Sequence, residues 1–167
     1  MNSLIKASVV AASLSLWMAG VASAADLATD MVPDGVTAYK VVGDFDDVHF
    51  GLESAIVNRG LVIDHTSHVG EMLARTKDDV GGTKDIFVKA EALMFCSANL
   101  SRKVMEEDPS NIAFCPYVVF AYEAADNPGT TLVGFRQLPE TGSDASKQAI
   151  GAVNALLDDI VTEAAGE

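Results

Sequence analysis

The spacing of apolar residues predicts two strand–helix pairs in the first half of the chain. Residues 36–45 are rich in valine, which favours a strand. The following apolar residues recur every three or four positions, which is typical of a helix with one buried face: Phe45, Val48, Leu52, Ala55 and Ile56. Asp44 is the expected N-cap of this helix, and Gly60 follows its end. Residues 61–67 predict a second strand, and residues 68–77 predict one or two helical turns.

The two cysteines flank a second change of pattern. Residues 85–96 fit either a helix or a strand by periodicity, and we expect a helical start with an extended end at Leu93–Cys96. Residues 97–108 predict a short helix that ends before Pro109. Ser97 or Asn99 is its expected cap, because both side chains can accept a hydrogen bond from a free backbone N–H group.

The last third predicts a hairpin and a long closing helix. Residues 111–124 and 131–138 are rich in β-branched and aromatic residues and are joined by the turn sequence DNPGT. Pro116 should mark an edge, a bulge or the start of a strand, because proline donates no ladder hydrogen bond. Residues 143–164 predict a helix capped by Asp144 or Ser143, and its apolar stripe comprises Ile150, Val153, Leu156, Leu157, Ile160 and Val161. The sum is an α+β domain, a mostly antiparallel sheet with helices packed on one face.

The first 24 residues have the pattern of a signal peptide. Lys6 is followed by an apolar stretch over residues 7–20, which is too short for a good membrane anchor. The small residues before Ala25 fit a cleavage site at that position. We therefore expect a cleaved signal peptide, a periplasmic or secreted protein, and a flexible leader over residues 25–35.

Residues 36–165 are expected to form one domain, since this length supports a single hydrophobic core. The whole chain has 24 acidic residues against 11 lysines and arginines, a formal net charge of −13. Such a chain repels nucleic-acid phosphates and anionic lipid. We therefore expect no nucleic-acid partner and, after signal cleavage, no membrane association.

Cys96 and Cys115 leave three interpretations open. In an exported chain, two cysteines are most simply a disulfide. A bridge closing a loop of this length would stabilise the fold by about 3 kcal/mol. Their spacing is neither Cys-x-x-Cys nor Cys-x-x-Cys-His, so thioredoxin-like and covalent haem motifs are missing. An exchangeable thiol pair, and metal-binding or simply buried thiols, remain as alternatives.

Histidines suggest a second candidate site. His68 stands near the start of a predicted helix, and with Met72 and Cys96 it would offer soft ligands suited to copper or to haem iron. The alternative is a capping histidine beside a core methionine, and the sequence requires no cofactor. His49 is expected on a solvated helix face. Arg136 on a strand either binds an anionic ligand with its guanidinium group or is an exposed strand residue.

Catalytic motifs are missing from the sequence. It contains no G-x-S-x-G, no phosphate-binding loop and no H-E-x-x-H. Adjacent carboxylates such as Asp46 and Asp47 predict solvated helix ends, because glycosidase-type pairs come from separate elements. These observations favour a binding module over an enzyme.

Several phrases resemble the bacterial domain of unknown function 302 family over roughly residues 36–140. They are "FGLESAIVNRGLVIDH", "HVGEMLART", "FCSANLSRKVMEEDPSNIAFCPYVVFAYEA" and "VGFRQLP". The resemblance implies a fold like that of the TATA-binding protein, β-α-β(n)-α, often as a homodimer. It brings no established activity and no catalytic residues, although members are sometimes associated with periplasmic sulfur-compound metabolism. Other members carry a Gly-Asn-Pro type stretch where this chain has Cys96-Ser97-Ala98, so cysteine chemistry would belong to one branch of the family.

Three hypotheses follow from these observations. The first is an exported homodimeric module with a groove near His68, Cys96 and Arg136 that holds a small ligand or a redox partner. The second is a thiol-based sulfur-transfer protein, in which Cys96 reacts and Cys115 resolves. The third is an interaction subunit with no ligand.

Overall fold

The computed structural model describes residues 26–167 and shows one six-stranded sheet in which every neighbouring pair of strands is antiparallel. The strand order is β1-β2-β6-β5-β4-β3. The strands are β1 (Asp26–Leu27), β2 (Val36–Val42), β3 (Val62–Ser67), β4 (Phe87–Cys96), β5 (Tyr117–Ala124) and β6 (Thr130–Arg136). The predicted hairpin is the β5–β6 pair.

Within residues 26–167, four α-helices accompany the sheet: α1 (Phe45–Asn58), α2 (Val69–Thr76), α3 (Ala98–Glu107) and α4 (Asp144–Ala164). Side-chain caps fix three of their starts. Asp44 accepts a hydrogen bond from the N–H of Asp46, Ser97 from that of Leu100, and Ser143 from that of Ser146. Each cap satisfies a backbone donor that the first helical turn leaves free.

The main core lies between one face of the sheet and the helices α1, α3 and α4. It buries inward-facing residues of the central strands against the apolar stripes of these helices. Its largest fully buried side chains include Leu52, Leu93, Phe95, Phe135 and Leu157. The predicted α+β class, an antiparallel sheet with helices packed on it, is confirmed.

The expected helical start over residues 85–92 is wrong. Strand β4 begins at Phe87 and pairs with β5 along its length and with β3 in its second half. Alanine, lysine and glutamate in this segment favour a helix locally, but hydrogen bonding to neighbouring strands overrides that preference.

The predicted strand over residues 111–124 begins later than expected. Pro109–Phe114 forms a 3₁₀ helix, and the side chain of Asp108 accepts a hydrogen bond from the N–H of Ser110 at its start. Pro116 stands directly before β5, as expected for a strand start.

Residues 26–35 are part of the fold, although we expected a flexible leader. β1 pairs with β2, and Ala28 is buried against Ala38 and Leu132 on the second face of the sheet. The predicted signal peptide and its cleavage site before Ala25 lie outside the described residues.

The second face of the sheet carries its own row of apolar side chains. Phe120, Tyr122 and Met94 lie on it and are half-buried. On the four central strands this face has no carboxylate, since Glu91 and Glu123 point to the helical side by the strand alternation. We call it the open face.

Candidate functional site

Strand β4 continues its inward-facing row beyond the core with two charged residues. Lys89 and Glu91 lie on the same face as Leu93, because strand side chains alternate and the pairing with β5 keeps register from Lys89 onward. At this end the sheet is covered by the first turns of α1. The charged side chains therefore point towards a helix, where Glu91 is 21% exposed and Lys89 is 45% exposed.

Helix α1 offers matching groups to this row. The ammonium group of Lys89 binds the carboxylate of Asp46 and lies 5.6 Å from the centre of the Phe45 ring. One turn later, the imidazole of His49 stacks on the same Phe45 ring, with centroids 5.6 Å apart and planes inclined by 18°. Phe45 is buried and therefore holds the imidazole in a fixed orientation.

Helix α2 closes the other side. It begins immediately after β3 and runs beside the first half of β4, where a continuation of β3 would have paired. Gly70 permits this close approach, since a Cβ atom there would lie 2.8 Å from the backbone nitrogen of Ala90. His68, the residue before α2, is thereby placed beside Glu91.

Glu91 joins the two helices through two histidines. Its Oε1 lies 2.8 Å from Nδ1 of His68, and its Oε2 lies 2.8 Å from Nε2 of His49. The bond to His68 has hydrogen-bond geometry. The contact with His49 is close but poorly aligned, so the buried Nε2 of His49 has no well-directed hydrogen-bond partner among the described residues.

The two histidines differ in exposure. The side chain of His49 is 16% exposed and that of Glu91 is 21% exposed, whereas that of His68 is 55% exposed. The pKa of His68 is raised, mainly by its hydrogen bond to Glu91 and then by the charge of that carboxylate, with a smaller contribution from Glu71. The Nδ1–H group of His68 donates to Glu91, which leaves Nε2 of His68 as the nitrogen that gains or loses the proton.

A cleft of about 480 Å³ lies between α1 and α2 with β4 as its floor. We call it the α1–α2 cleft. Its polar lining comprises Asp46, His49, Glu71, Lys89 and Glu91, and its apolar lining includes Phe45, Phe87, Ala74 and Ala90. A volume between roughly 300 and 1,000 Å³, with apolar walls and a few convergent polar groups, is typical of small-molecule sites.

The structure does not bring the predicted ligand set together. Of His68, Cys96 and Arg136, His68 alone is bonded to a residue that lines this cleft. Cys96 lies five residues further along β4 than Glu91, roughly 16 Å away at the rise of a strand. Arg136 is exposed at the end of β6, which is separated from β4 by β5.

The predicted soft-metal set is also dispersed. Met72 is 43% exposed on α2, one turn after His68, but Cys96 lies at the far end of β4. Within residues 26–167, no group of three or more His, Cys, Asp or Glu side chains is arranged to hold a metal ion.

Cys96 and Cys115 lie at disulfide distance and are joined in the structure, with their Cα atoms 6.4 Å apart. This separation is within the usual range for a disulfide. The bridge closes the segment between β4 and β5 that contains α3. Beside it, the hydroxyl of Ser101 lies 3.8 Å from the Cys115 sulfur and 2.9 Å from the Tyr117 hydroxyl. Burial raises the pKa of Tyr117 despite this hydrogen bond to Ser101.

The sequence analysis missed most of the cleft. His49 was expected on a solvated face but is largely buried, because α1 turns it towards β4. Glu91 and Lys89 belong to no recognised sequence motif. A strand prediction for residues 87–96 would have revealed them, since alternation from Leu93 and Phe95 places both charges on the helical side.

A profile of the family described as "Domain of unknown function DUF302" matches residues 37–164. The chain belongs to this family. The match covers all of the elements that form the α1–α2 cleft, from α1 to β4.

A solved structure from the DUF302 family has a similar fold. It is the crystal structure of an uncharacterized conserved protein from Bacillus stearothermophilus, with 18% sequence identity and a TM-score of 0.60. The likeness covers 76% of this chain and 98% of the other. Comparison with curated proteins finds no match. In the part of the chain that the structure describes, no helix is both long enough and apolar enough to cross a membrane.

Proposed function

We propose that this DUF302 protein is a binding module for a small ligand and that the ligand occupies the α1–α2 cleft. The observation that carries the proposal is the Glu91 carboxylate, whose two oxygens contact histidines from two different flanking elements at the floor of the cleft. Polar groups fixed in this way cost little further ordering when a ligand binds.

Two other depressions of similar size are alternative candidates for the ligand site. A groove of about 400 Å³ lies between α3 and α4, and one of about 360 Å³ lies beside Tyr39 and Asp158. The first is lined by exposed helix residues such as Lys103 and Glu107. In the second, the Tyr39 hydroxyl already donates to Asp158. The α1–α2 cleft has the larger volume and combines aromatic walls with imidazole and carboxylate groups, which favours it as the ligand site.

A cleft-filling substitution tests the proposal. Ala74 lines the cleft and is exposed, so Ala74→Trp should fill the space without disturbing the core. Ala145→Trp is the matched control, because Ala145 is exposed on α4 and lines the α3–α4 groove. Cationic, anionic and neutral aromatic fragments would be added to the ¹⁵N-labelled protein, and amide shifts would be recorded by NMR.

We expect fragments to shift the amide signals of Gly70, Ala74 and Ala90, and to lose this effect in Ala74→Trp but not in Ala145→Trp. Shifts that cluster in the α3–α4 groove, or that survive in Ala74→Trp, would contradict the proposal.

We also propose export, which the signal-peptide pattern of residues 1–24 and the cysteine pair at disulfide distance support. The cysteine pair supports a structural bridge over the thiol-transfer alternative, because a bonded Cys96 offers no thiolate. A link to sulfur-compound metabolism rests on family resemblance, and no group in the cleft adds support to it.

The open face supports a homodimer. A face with half-buried aromatic residues and no carboxylate on its central strands is unusual in a chain with 24 acidic residues. A second copy can cover it without repulsion between carboxylates of the two sets of central strands, on which Lys40 and Arg136 are the charged residues of this face.

A further inference from the structure

We propose that the ligand of the α1–α2 cleft is a small organic cation, an ammonium group carried by an apolar or aromatic body. This inference rests on the proposed function and specifies the ligand class for the same site. It follows from the charges that line the cleft, from the remaining hydrogen-bond capacity of Glu91, and from the position that an ammonium group already takes over the Phe45 ring.

The charge balance of the lining favours a cation. Three carboxylates line the cleft, those of Asp46, Glu71 and Glu91, against one ammonium group, that of Lys89. Asp46 already pairs with Lys89. Glu71 forms no salt bridge within residues 26–167. A carboxylate-bearing ligand would meet Glu71 and Glu91 as like charges, whereas an ammonium group would be attracted by both.

Glu91 retains room to accept further hydrogen bonds. An ionised carboxylate has about four lone-pair positions, and the two histidines face one on each oxygen. The remaining positions can accept from an ammonium group, which has three donors. Because Glu91 is only 21% exposed, a charge-assisted bond to it would be screened less by water than one at the surface.

The apolar lining provides for the body of the ligand. Phe45 and Phe87 line the cleft together with Ala74 and Ala90. The ammonium group of Lys89 lies 5.6 Å from the centre of the Phe45 ring, so the cleft already holds one cation beside an aromatic wall. An aromatic amine would place its charge towards Glu91 and its ring against these walls.

Protonation of His68 should oppose binding. The groups that face His68 are Glu91 on β4, Glu71 on α2 and, across Glu91, His49 on α1; Lys89 and Asp46 lie in the same cleft and neutralise each other. A protonated His68 imidazole would cancel carboxylate charge that the ligand needs. Affinity should therefore rise as the pH increases and His68 loses its proton, while an alkyl ammonium group remains charged.

Three shape-matched probes test the ligand class: benzylamine, benzyl alcohol and phenylacetate. Binding would be measured by calorimetry and by amide shifts of Gly70, Ala74 and Ala90 at about pH 8, where the amine is charged. We expect benzylamine to bind in the cleft more tightly than the other two. Glu71→Gln and Glu91→Gln should each weaken it roughly tenfold, the effect of one charge-assisted hydrogen bond.

Glu53→Gln is the matched control. It makes the same charge change on α1 but lies outside the cleft lining, so benzylamine affinity should stay within twofold of the unmodified protein, a margin of about 0.4 kcal/mol. Because Glu91→Gln also alters the contacts of both histidines, Glu71→Gln keeps the test valid if that variant folds poorly.

The outcomes separate the two proposals. If benzyl alcohol or phenylacetate shifts the cleft amides as strongly as benzylamine, the cleft is a ligand site but the cationic class is wrong. If Glu53→Gln weakens benzylamine as much as Glu71→Gln does, the attraction comes from the overall charge of the protein and the cationic site is wrong. If none of the three probes shifts the cleft amides, the ammonium inference fails; the binding function then stands only if other fragments shift these amides and lose the effect in Ala74→Trp, and it is overturned if no fragment does.

Discussion

Nδ1 of His68 lies 2.8 Å from Oε1 of Glu91, so the residue that precedes α2 is tied to the strand beneath it. The pKa of His68 is raised, chiefly by this hydrogen bond. The folded protein therefore holds the His68 proton more tightly than the unfolded chain, where histidine titrates near 6.5. The resulting stabilisation is fully present below that pH and is lost as the pH rises through the folded-state pKa.

The first prediction concerns this pH dependence. The free energy of unfolding in urea should lose a contribution as the pH rises above the ordinary histidine pKa and through the raised folded-state pKa of His68, and His68→Gln should remove that contribution. His65→Gln, which changes a histidine paired opposite Met94 on the other sheet face, should leave it intact. An unchanged pH dependence in His68→Gln would show that the bond to Glu91 does not stabilise the fold.

A second prediction concerns the packing of α2 against β4. Gly70→Ala introduces a Cβ atom 2.8 Å from the backbone nitrogen of Ala90, and a strand backbone cannot move aside cheaply. We expect a loss of about 1–3 kcal/mol in the free energy of unfolding, together with altered amide signals around the α1–α2 cleft. Gly43→Ala is the control, since a Cβ atom there has no neighbour within 4 Å. Equal stabilities of the two variants would refute the close packing of α2.

The third prediction concerns the cysteine pair. Cys96→Ala and Cys115→Ala should each lower the free energy of unfolding by about 3 kcal/mol, because each opens the same loop. The double variant should cost no more than either single variant, and reductant should not affect it further. Additive losses, or a free-thiol signal from the unmodified folded protein, would exclude the structural bridge.

The fourth prediction concerns the open face. Phe120→Glu should convert the proposed dimer into a monomer in size-exclusion chromatography with light scattering, because it buries a carboxylate in the interface. Phe50→Glu is the matched control on α1, where the phenylalanine is 69% exposed and distant from the open face. A dimer that persists in Phe120→Glu and dissociates in Phe50→Glu would place the interface on the helical side.

The sequence predicts most elements of this fold because each has a strong local signal. Asp44 is the cap expected for α1, and of the alternatives that the sequence left open for α3 and α4 the structure shows Ser97 and Ser143. Strand β4 lacks a local signal in its first half. Its extended form comes from hydrogen bonds to β5 and from its place beside α2, and such long-range pairings leave no mark in a single sequence.

The candidate site also depends on long-range pairings, so the sequence alone did not predict it. Glu91 contacts His49 and His68 only when three separate elements pack together. The spacing of these residues along the sequence does not predict the contacts. His49 stands beside Phe50 on α1 and was expected on a solvated face. The rotation of α1 over the sheet, which is set by the core residues Leu52 and Ile56, decides which of the two is buried.

The two edge strands of the sheet affect whether copies of the chain can aggregate. β1 has two residues, and β3 is interrupted by a register shift between Ile63 and His65. Short or irregular edge strands disfavour pairing with a strand of another chain, which is the step that propagates fibrils. Beside β4, α2 occupies the place where an incoming strand would bind. Association through a self-complementary face closes at two copies, so this architecture favours a finite assembly over open-ended growth.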